Sequence, residues 1–200
     1  MIGIVDYNVS NLGSLLNAFN FLNIESEIVS NPNLLSKYDK IVLPGVGSFD
    51  YAMNKLNELG WVNKLHDEIV IKKKKVLGIC LGMQLMCQSS EEGIQNGLGY
   101  FPLKVKKINA TDNLKLPHMG WNSVTHFNNF KNYTLNLKNN RFYFVHSYCV
   151  PINKQYTFYY TEYGEKFSSI ILKDNIIATQ FHPEKSHKFG LSLLDHFGKI

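Results

Sequence analysis

The first half of the chain alternates short apolar runs with longer stretches in which apolar residues recur at helical spacing. Residues 2–6, 27–29, 40–43 and 76–79 read as strands, the third of them ended by Pro44. After the first, Leu12, Leu15, Leu16, Phe19 and Leu22 fall on one face of a helix that Asn11 is placed to cap. Residues 49–59 and 61–72 form two further helices, with Gly60 positioned to terminate the first, and another helix starts at Leu81. Strands alternating with helices imply right-handed crossovers and a largely parallel sheet. The second half changes character: residues 100–108, 141–147, 155–163, 167–172 and 176–181 are rich in aromatic and β-branched side chains and read as strands. Lys173, Asp174 and Asn175 signal a tight turn between the last two, the Asn-rich stretch near 128–140 reads as exposed loop, and Leu191, Leu194 and Phe197 stripe a final helix. The expectation is one α/β domain over residues 1–200, with a mixed, largely parallel central sheet flanked by helices.

Composition narrows the function classes. With 44% hydrophobic and 18% charged residues the chain can bury a substantial core. No apolar run approaches the ~20 residues a membrane-spanning helix needs. The first residues, Met-Ile-Gly-Ile-Val-Asp-Tyr-Asn, have neither the basic stretch nor the cleavage pattern of a secretory signal, so a cytoplasmic protein is expected. The net charge of +5 invites a nucleic-acid partner, but the one dense basic run is 72–75, directly before an apolar strand, with no interleaved aromatics. Solvated lysines explain it. Cys80, Cys87 and Cys149 form no Cys-x-x-Cys pair, and the seven histidines do not cluster, so neither a disulfide framework nor a metal site is expected.

The segment Gly78-Ile-Cys80-Leu-Gly82 carries chemistry. A strand turning sharply into a helix between small residues has the form of a nucleophile elbow. It exposes the sulfur at the carboxyl end of a strand, where open α/β sheets bind ligands. It also sets the sulfur at a helix N-terminus, whose partial positive charge favours thiolate. A buried, inert cysteine is the competing reading. What decides between them lies about a hundred residues downstream, where an apolar strand ends in Phe181-His182-Pro183-Glu184. Residues i and i+2 share a strand face, so His182 can serve as acid and base to Cys80 while Glu184 fixes its tautomer. His66 also has carboxylates beside it, but on a helix, where Asp67 and Glu68 point elsewhere.

Several motifs in order along nearly the whole chain resemble the class I glutamine amidotransferases, and within them the glutaminase subunits of imidazole glycerol phosphate synthases of histidine biosynthesis. They are Asp6-Tyr7 with Asn11-Leu12, Pro44 to Phe49, Gly78 to Gln84, Ser90 to Gly93, Pro117 to Asn122, Phe144 to Tyr148 and Phe181 to Ser186. The resemblance implies that L-glutamine is the substrate, that Cys80 attacks its carboxamide, and that no cofactor is used. It implies an oxyanion hole from the N–H groups of Leu81 and Val46, with Gly45 and Gly47 letting the 44–47 loop reorient as an on/off switch. Gln84 and Glu92 match positions that hold the glutamine α-amino acid portion, although each alone also reads as a solvated helix residue. The partner implied is a separate (β/α)8 cyclase subunit that receives the ammonia in a heterodimer. Asn11, His118, Met119, Trp121 and Lys185 match positions at or near that interface. For Met119 and Trp121, core packing is the alternative. The family's N-terminal motif usually reads Asp-Tyr-Gly-x-Gly-Asn-Leu, and here Asn8 and Ser10 hold the glycine places. That segment faces the partner, so a related glutaminase serving another synthase, for example in amination of a surface-sugar precursor, is the alternative.

Overall fold

The computed structural model describes residues 1–109, 114–130, 135, 137 and 140–200. In chain order the first half gives β1 (Ile2–Val5), α1 (Leu12–Phe21), β2 (Ser26–Val29), β3 (Lys40–Gly45), α2 (Phe49–Glu58), α3 (Trp61–His66), β4 (Lys75–Cys80) and α4 (Leu81–Leu85). The second half gives β5 (Cys87–Ser90), β6 (Phe101–Lys107), β7 (His118–Ser123), β8 (Thr125–His126), β9 (Arg141–His146), β10 (Tyr148–Pro151), β11 (Thr157–Tyr163), β12 (Glu165–Lys173), β13 (Ile176–Thr179) and α5 (His187–Lys199).

Among the described residues the main sheet runs β2-β1-β3-β4-β13-β12-β10-β6-β5, with β11 and β8 branching from β12. The β2 to β13 portion is parallel, and β13-β12-β10-β6 is antiparallel. β7 and β9 form a separate antiparallel ribbon. Period-2 alternation sends the two faces of each central strand into different cores. Ile41, Leu43 and Val76 pack with α2, α3 and α4, whereas Val42, Leu77 and Ile79 pack with α1 and α5. Each fully buried aliphatic side chain contributes about 1.5–3 kcal/mol.

The structure departs from the sequence expectations where local signals met tertiary ones. β3 continues through Pro44 to Gly45. Its pairing with β1 ends at Val42, so proline falls where one edge no longer asks for an amide donor, while Pro44 stays in register with Ile79 of β4. The helix expected over 61–72 is α-helical only to His66 and then widens into a π turn over Asp67–Ile71. There Glu68 turns inward, its carboxylate within 3.3, 2.8 and 2.8 Å of the Lys64, Lys72 and Lys74 ammoniums. The helix from Leu81 is short and gives way to β5. The strands β5, β7, β8 and β10 were not expected. Part of the 128–140 expectation falls on 131–134, 136 and 138–139, outside the described residues. Within that stretch Leu137 is buried rather than exposed, its N–H donating to the Tyr159 hydroxyl at 3.1 Å.

Candidate active site

β4 and β13 are parallel neighbours, with Gly78 opposite Ala178 and Ile79 opposite Thr179. This pairing places Cys80 and the residues after Thr179 at the same end of the sheet. Cys80 caps α4 with φ +53° and ψ −108°, a conformation that costs about 1–3 kcal/mol for a side chain with a Cβ. The elbow closes because Gly82 has no side chain: a Cβ there would lie 1.9 Å from the Leu43 carbonyl oxygen. Leu81, the first residue of α4, has an N–H with no acceptor inside the helix. The Cys80 sulfur lies 3.9 Å from the Val145 carbonyl oxygen and 3.8 Å from Gln180 Nε2.

His182 and Glu184 do meet, though by another route than the expected strand face. β13 ends at Thr179, and His182 opens a 3₁₀ turn, Pro183–Lys185, that folds Glu184 back under it. The segment is clamped to β9. His182 N–H donates to the Tyr143 carbonyl at 2.9 Å, and Tyr143 N–H donates to the Ser186 hydroxyl at 2.9 Å. Phe181 stacks on Phe142 with ring centroids 3.9 Å apart. His182 Nδ1 is 2.8 Å from Glu184 Oε1, with side-chain exposures of 2% and 3%. Burial alone would lower the His182 imidazole, but the adjoining charges of Cys80 and Glu184 override it and raise the group to about 10. Nδ1 is committed to the carboxylate, and Nε2 is buried with no partner in normal hydrogen-bond geometry.

A cavity of about 300 Å³ opens beside this group, and Val46, Gly47, Cys80, Leu81, Gln84, Glu92 and His182 contribute to its lining. Gly45 does not line it. It pairs with Cys80 across β3 and β4, and a Cβ there would meet the Tyr7 hydroxyl at 2.5 Å. That hydroxyl donates to the Pro44 carbonyl at 2.7 Å, bracing the loop from behind. Gly47 has φ +94°, open to glycine and strained for other residues. The two expected oxyanion donors differ. Leu81 N–H heads α4, whereas Val46 N–H donates to the Val9 carbonyl at 2.9 Å and is therefore taken up outside the cavity. The loop motif does not record how this backbone is turned; the Val46–Val9 hydrogen bond does. Gln84 is buried, and its Nε2 donates to the Tyr148 carbonyl at 2.9 Å and to Gln180 Oε1 at 3.1 Å. Glu92 caps α2 by accepting the Phe49 N–H at 2.9 Å, and burial raises its carboxyl above the usual range.

The far wall was not nominated from the sequence, although its motif was noted: Val145, His146, Ser147 and Tyr148, with Pro117 at the rim. A chain of neutral imidazoles backs it. The Tyr148 carbonyl only accepts, so His146 Nδ1, at 2.8 Å, carries the proton and Nε2 accepts. His118 Nδ1 then donates to that Nε2 at 3.0 Å, and Asn122 donates to His118 Nε2 at 3.3 Å. Burial holds His146 down to about 3 and His118 to about 4, so both stay neutral. Neither has a carboxylate two residues away in the sequence, which named His118 only as an interface residue and His146 only within a motif.

The expected interface residues divide by strand parity. Met119 and Trp121 point outward, 62% and 38% exposed, and Trp121 stacks on His187 at 5.1 Å. Core packing does not account for them. Asn11 and Lys185 are also exposed, and Asn11 makes no side-chain cap bond to α1. His118, on the opposite face of β7, is buried between Phe144 and Tyr163, behind the exposed pair. Asn8, in a place where glycine is usual, has φ +66°, so the left-handed backbone is kept there with a side chain that tolerates it. Among the described residues no group of three or more His, Cys, Asp or Glu side chains is placed to hold a metal, and no helix is long and apolar enough to cross a membrane.

A family model described as glutamine amidotransferase class-I matches residues 3–198. The chain is 46% identical over 200 residues to imidazole glycerol phosphate synthase subunit HisH 2 of Methanococcus maripaludis, covering 100% of this chain and 99% of the relative. It is 46% identical over 207 residues to the HisH subunit of Leptospira interrogans, with 100% of both chains covered. Among solved structures, one described as a glutamine amidotransferase superposes with a TM-score of 0.76 at 15% identity, covering 100% of this chain and 99% of that one. The structure of PurLQS from Thermotoga maritima gives 0.70 at 16% identity, covering 98% and 96%. At those identities the likeness is one of fold.

Proposed function

Because the chain belongs to the class I glutamine amidotransferase family, we propose that it is the glutaminase subunit of an imidazole glycerol phosphate synthase. One observation carries the chemistry: Cys80, on a strained strand-to-helix elbow, shares a cavity with a buried His182 whose Nδ1 is held by Glu184 at 2.8 Å. In this reading the Cys80 thiolate attacks the glutamine side-chain carbonyl, forming a C–S bond and a tetrahedral oxyanion. His182 protonates the amine from Nε2 as the C–N bond breaks, and ammonia leaves. Water, deprotonated by the same Nε2, then cleaves the thioester to glutamate and returns the proton to the imidazole. Glu184 keeps the imidazole in the tautomer both steps need. Gln84 and Glu92 hold the α-amino acid portion, and Leu81 N–H supplies one oxyanion donor.

Val46 N–H supplies the second donor only after leaving Val9. Asn11, Met119, Trp121 and Lys185 are offered as the region on which a (β/α)8 cyclase subunit docks, with Val9 buried two residues before Asn11, forming a heterodimer that takes up the ammonia in the cytoplasm. The test is glutamate release by the purified chain, alone and with a candidate cyclase subunit plus its formimino-ribonucleotide substrate. A large rise that needs both additions and vanishes in Cys80→Ala supports the reading. A cyclase that neither binds nor stimulates, while Cys80 still reacts with a glutamine-analogue electrophile, removes the histidine pathway. One observation favours a second reading, a glutaminase for another synthase such as one aminating a surface-sugar precursor. Asn8 and Ser10 flank Val9, whose carbonyl holds the switch amide, so the departure from the family pattern lies at the control point.

A further inference from the structure

Gln180 is fully buried, between β13 and the nucleophile, and the steps above leave it without a role. Its orientation follows from its neighbours by elimination. The Tyr148 carbonyl can only accept, so the group of Gln84 that faces it at 2.9 Å must be the NH₂. The second proton of that NH₂ is directed at Gln180, 3.1 Å away, so Gln180 presents its oxygen there. Its own NH₂ is then left facing the Cys80 sulfur at 3.8 Å. Turning the Gln180 amide over would set two NH₂ groups against each other and aim an oxygen lone pair at the sulfur. The Tyr148 carbonyl is in turn fixed by the His146 and His118 imidazoles, each restricted to one tautomer.

We propose that Gln180 is a positioning residue with two linked tasks: it donates an N–H to the Cys80 thiolate, and it locks the Gln84 amide so that the Gln84 oxygen is the atom offered to the substrate. An oxygen at that point accepts from the glutamine α-ammonium group, whereas an NH₂ would repel it. The second task rests on the glutaminase reading; the first does not.

The experiment compares Gln180→Glu and Gln180→Met in the full chain, with folding followed by thermal unfolding. Glutamate keeps an acceptor for Gln84 but has no N–H for the sulfur; methionine has neither. Cys80 alkylation by iodoacetamide at pH 7 is read by peptide mass spectrometry. Cys149, which burial pushes up to about 12, and the buried Cys87 contribute little to it. Both variants are expected to alkylate about fivefold to tenfold more slowly than the parent chain. In the glutaminase assay with the partner present, kcat falls in both. KM for glutamine stays within about twofold in Gln180→Glu and rises roughly tenfold in Gln180→Met. Parental alkylation rates in both variants, or the same change of KM in both, overturn the proposal. If neither variant folds, Gln84→Met reads the same link, because it frees the Gln180 amide without touching the sulfur: slower alkylation supports the proposal and an unchanged rate overturns it. A parent chain that releases no glutamate even with the partner, and whose Cys80 does not react with a glutamine-analogue electrophile, yet shows the iodoacetamide contrast, rejects the glutaminase reading and keeps the first task.

Discussion

Glu184→Gln separates orientation from charge in the His182 pair. Glutamine can still offer a carbonyl oxygen to Nδ1–H, so the tautomer survives and the negative charge is what goes. Two unit charges about 4 Å apart interact by about 4 kcal/mol at an effective dielectric near 20. An opposite charge at that range shifts a titration by roughly 1–3 units. His182 stands at about 10, held up against burial by Cys80 and Glu184 together. Losing one of those two charges should bring it down by about 2 units. At pH 7 both proteins keep the imidazole protonated, so glutamate release falls by no more than roughly tenfold. At pH 9 the variant has lost most of its imidazolium and the deficit grows by about another tenfold. Stability follows the same sign. The raised group contributes stability that is complete below the ordinary imidazole value of 6.5 and is lost as pH rises through about 10, and in the variant that loss begins earlier. The assays are glutamate release with the partner at pH 6–10 and thermal unfolding over the same range. An alkaline limb in Glu184→Gln that coincides with the parent's would falsify the electrostatic argument.

Three further outcomes are expected. With Val46 N–H bonded to Val9, the isolated chain lacks one oxyanion donor, worth ~2.7–4 kcal/mol of barrier; its turnover should lie about 10²–10³ below that of the stimulated complex, and a fully active isolated chain would refute the switch. Gly82→Ala drives a Cβ to 1.9 Å from a backbone oxygen that cannot yield, so urea unfolding should show a loss of about 3 kcal/mol or more, whereas Gly13→Ala, with nothing within 4 Å, should stabilise α1 slightly. Burial alone would raise the Glu68 carboxyl, but Lys72, Lys74 and Lys64 hold it at about 2 against the ordinary glutamate value of 4.5; its stabilisation is present above pH 4.5 and lost as pH falls through about 2. Glu68→Gln should cost about 1–3 kcal/mol at pH 7 and flatten that acid limb, and an unchanged acid midpoint would count against the pairing.

The parallel half of the fold was legible because each element advertises itself locally: period-2 and period-3.6 patterns, Gly60 at a left-handed break, and the elbow glycines around Cys80. β7 and β10 were not, because His118-Met-Gly-Trp-Asn-Ser123 and Tyr148-Cys-Val-Pro151 carry polar, small or proline residues that only their pairing with β9, β12 and β6 makes into strands. The same blindness explains the site. Cys80, His182 and Glu184 declare their chemistry by residue type and spacing. Gln180, His146 and His118 are defined by the atoms they face across the fold, and the burial of His118 on the inner face of β7 could not be read without the strand parity. The Val46 amide is a backbone orientation, which no side-chain pattern records.

The insertion of β13 between β4 and β12 has a consequence for how the chain comes to exist. A span of 100 residues separates Cys80 from Gln180, and His182 lies beyond it. During synthesis the strand bearing Cys80 emerges long before β13, the strand that leads into His182, and until β13 arrives one edge of β4 stands open. Closing that edge is a long-range, late step in assembly. In the proposed mechanism the sulfur therefore gains its acid–base partner only when the last strand seals the sheet, so a truncated or half-folded chain would have a cysteine but no catalyst, and glutamine would be safe from it.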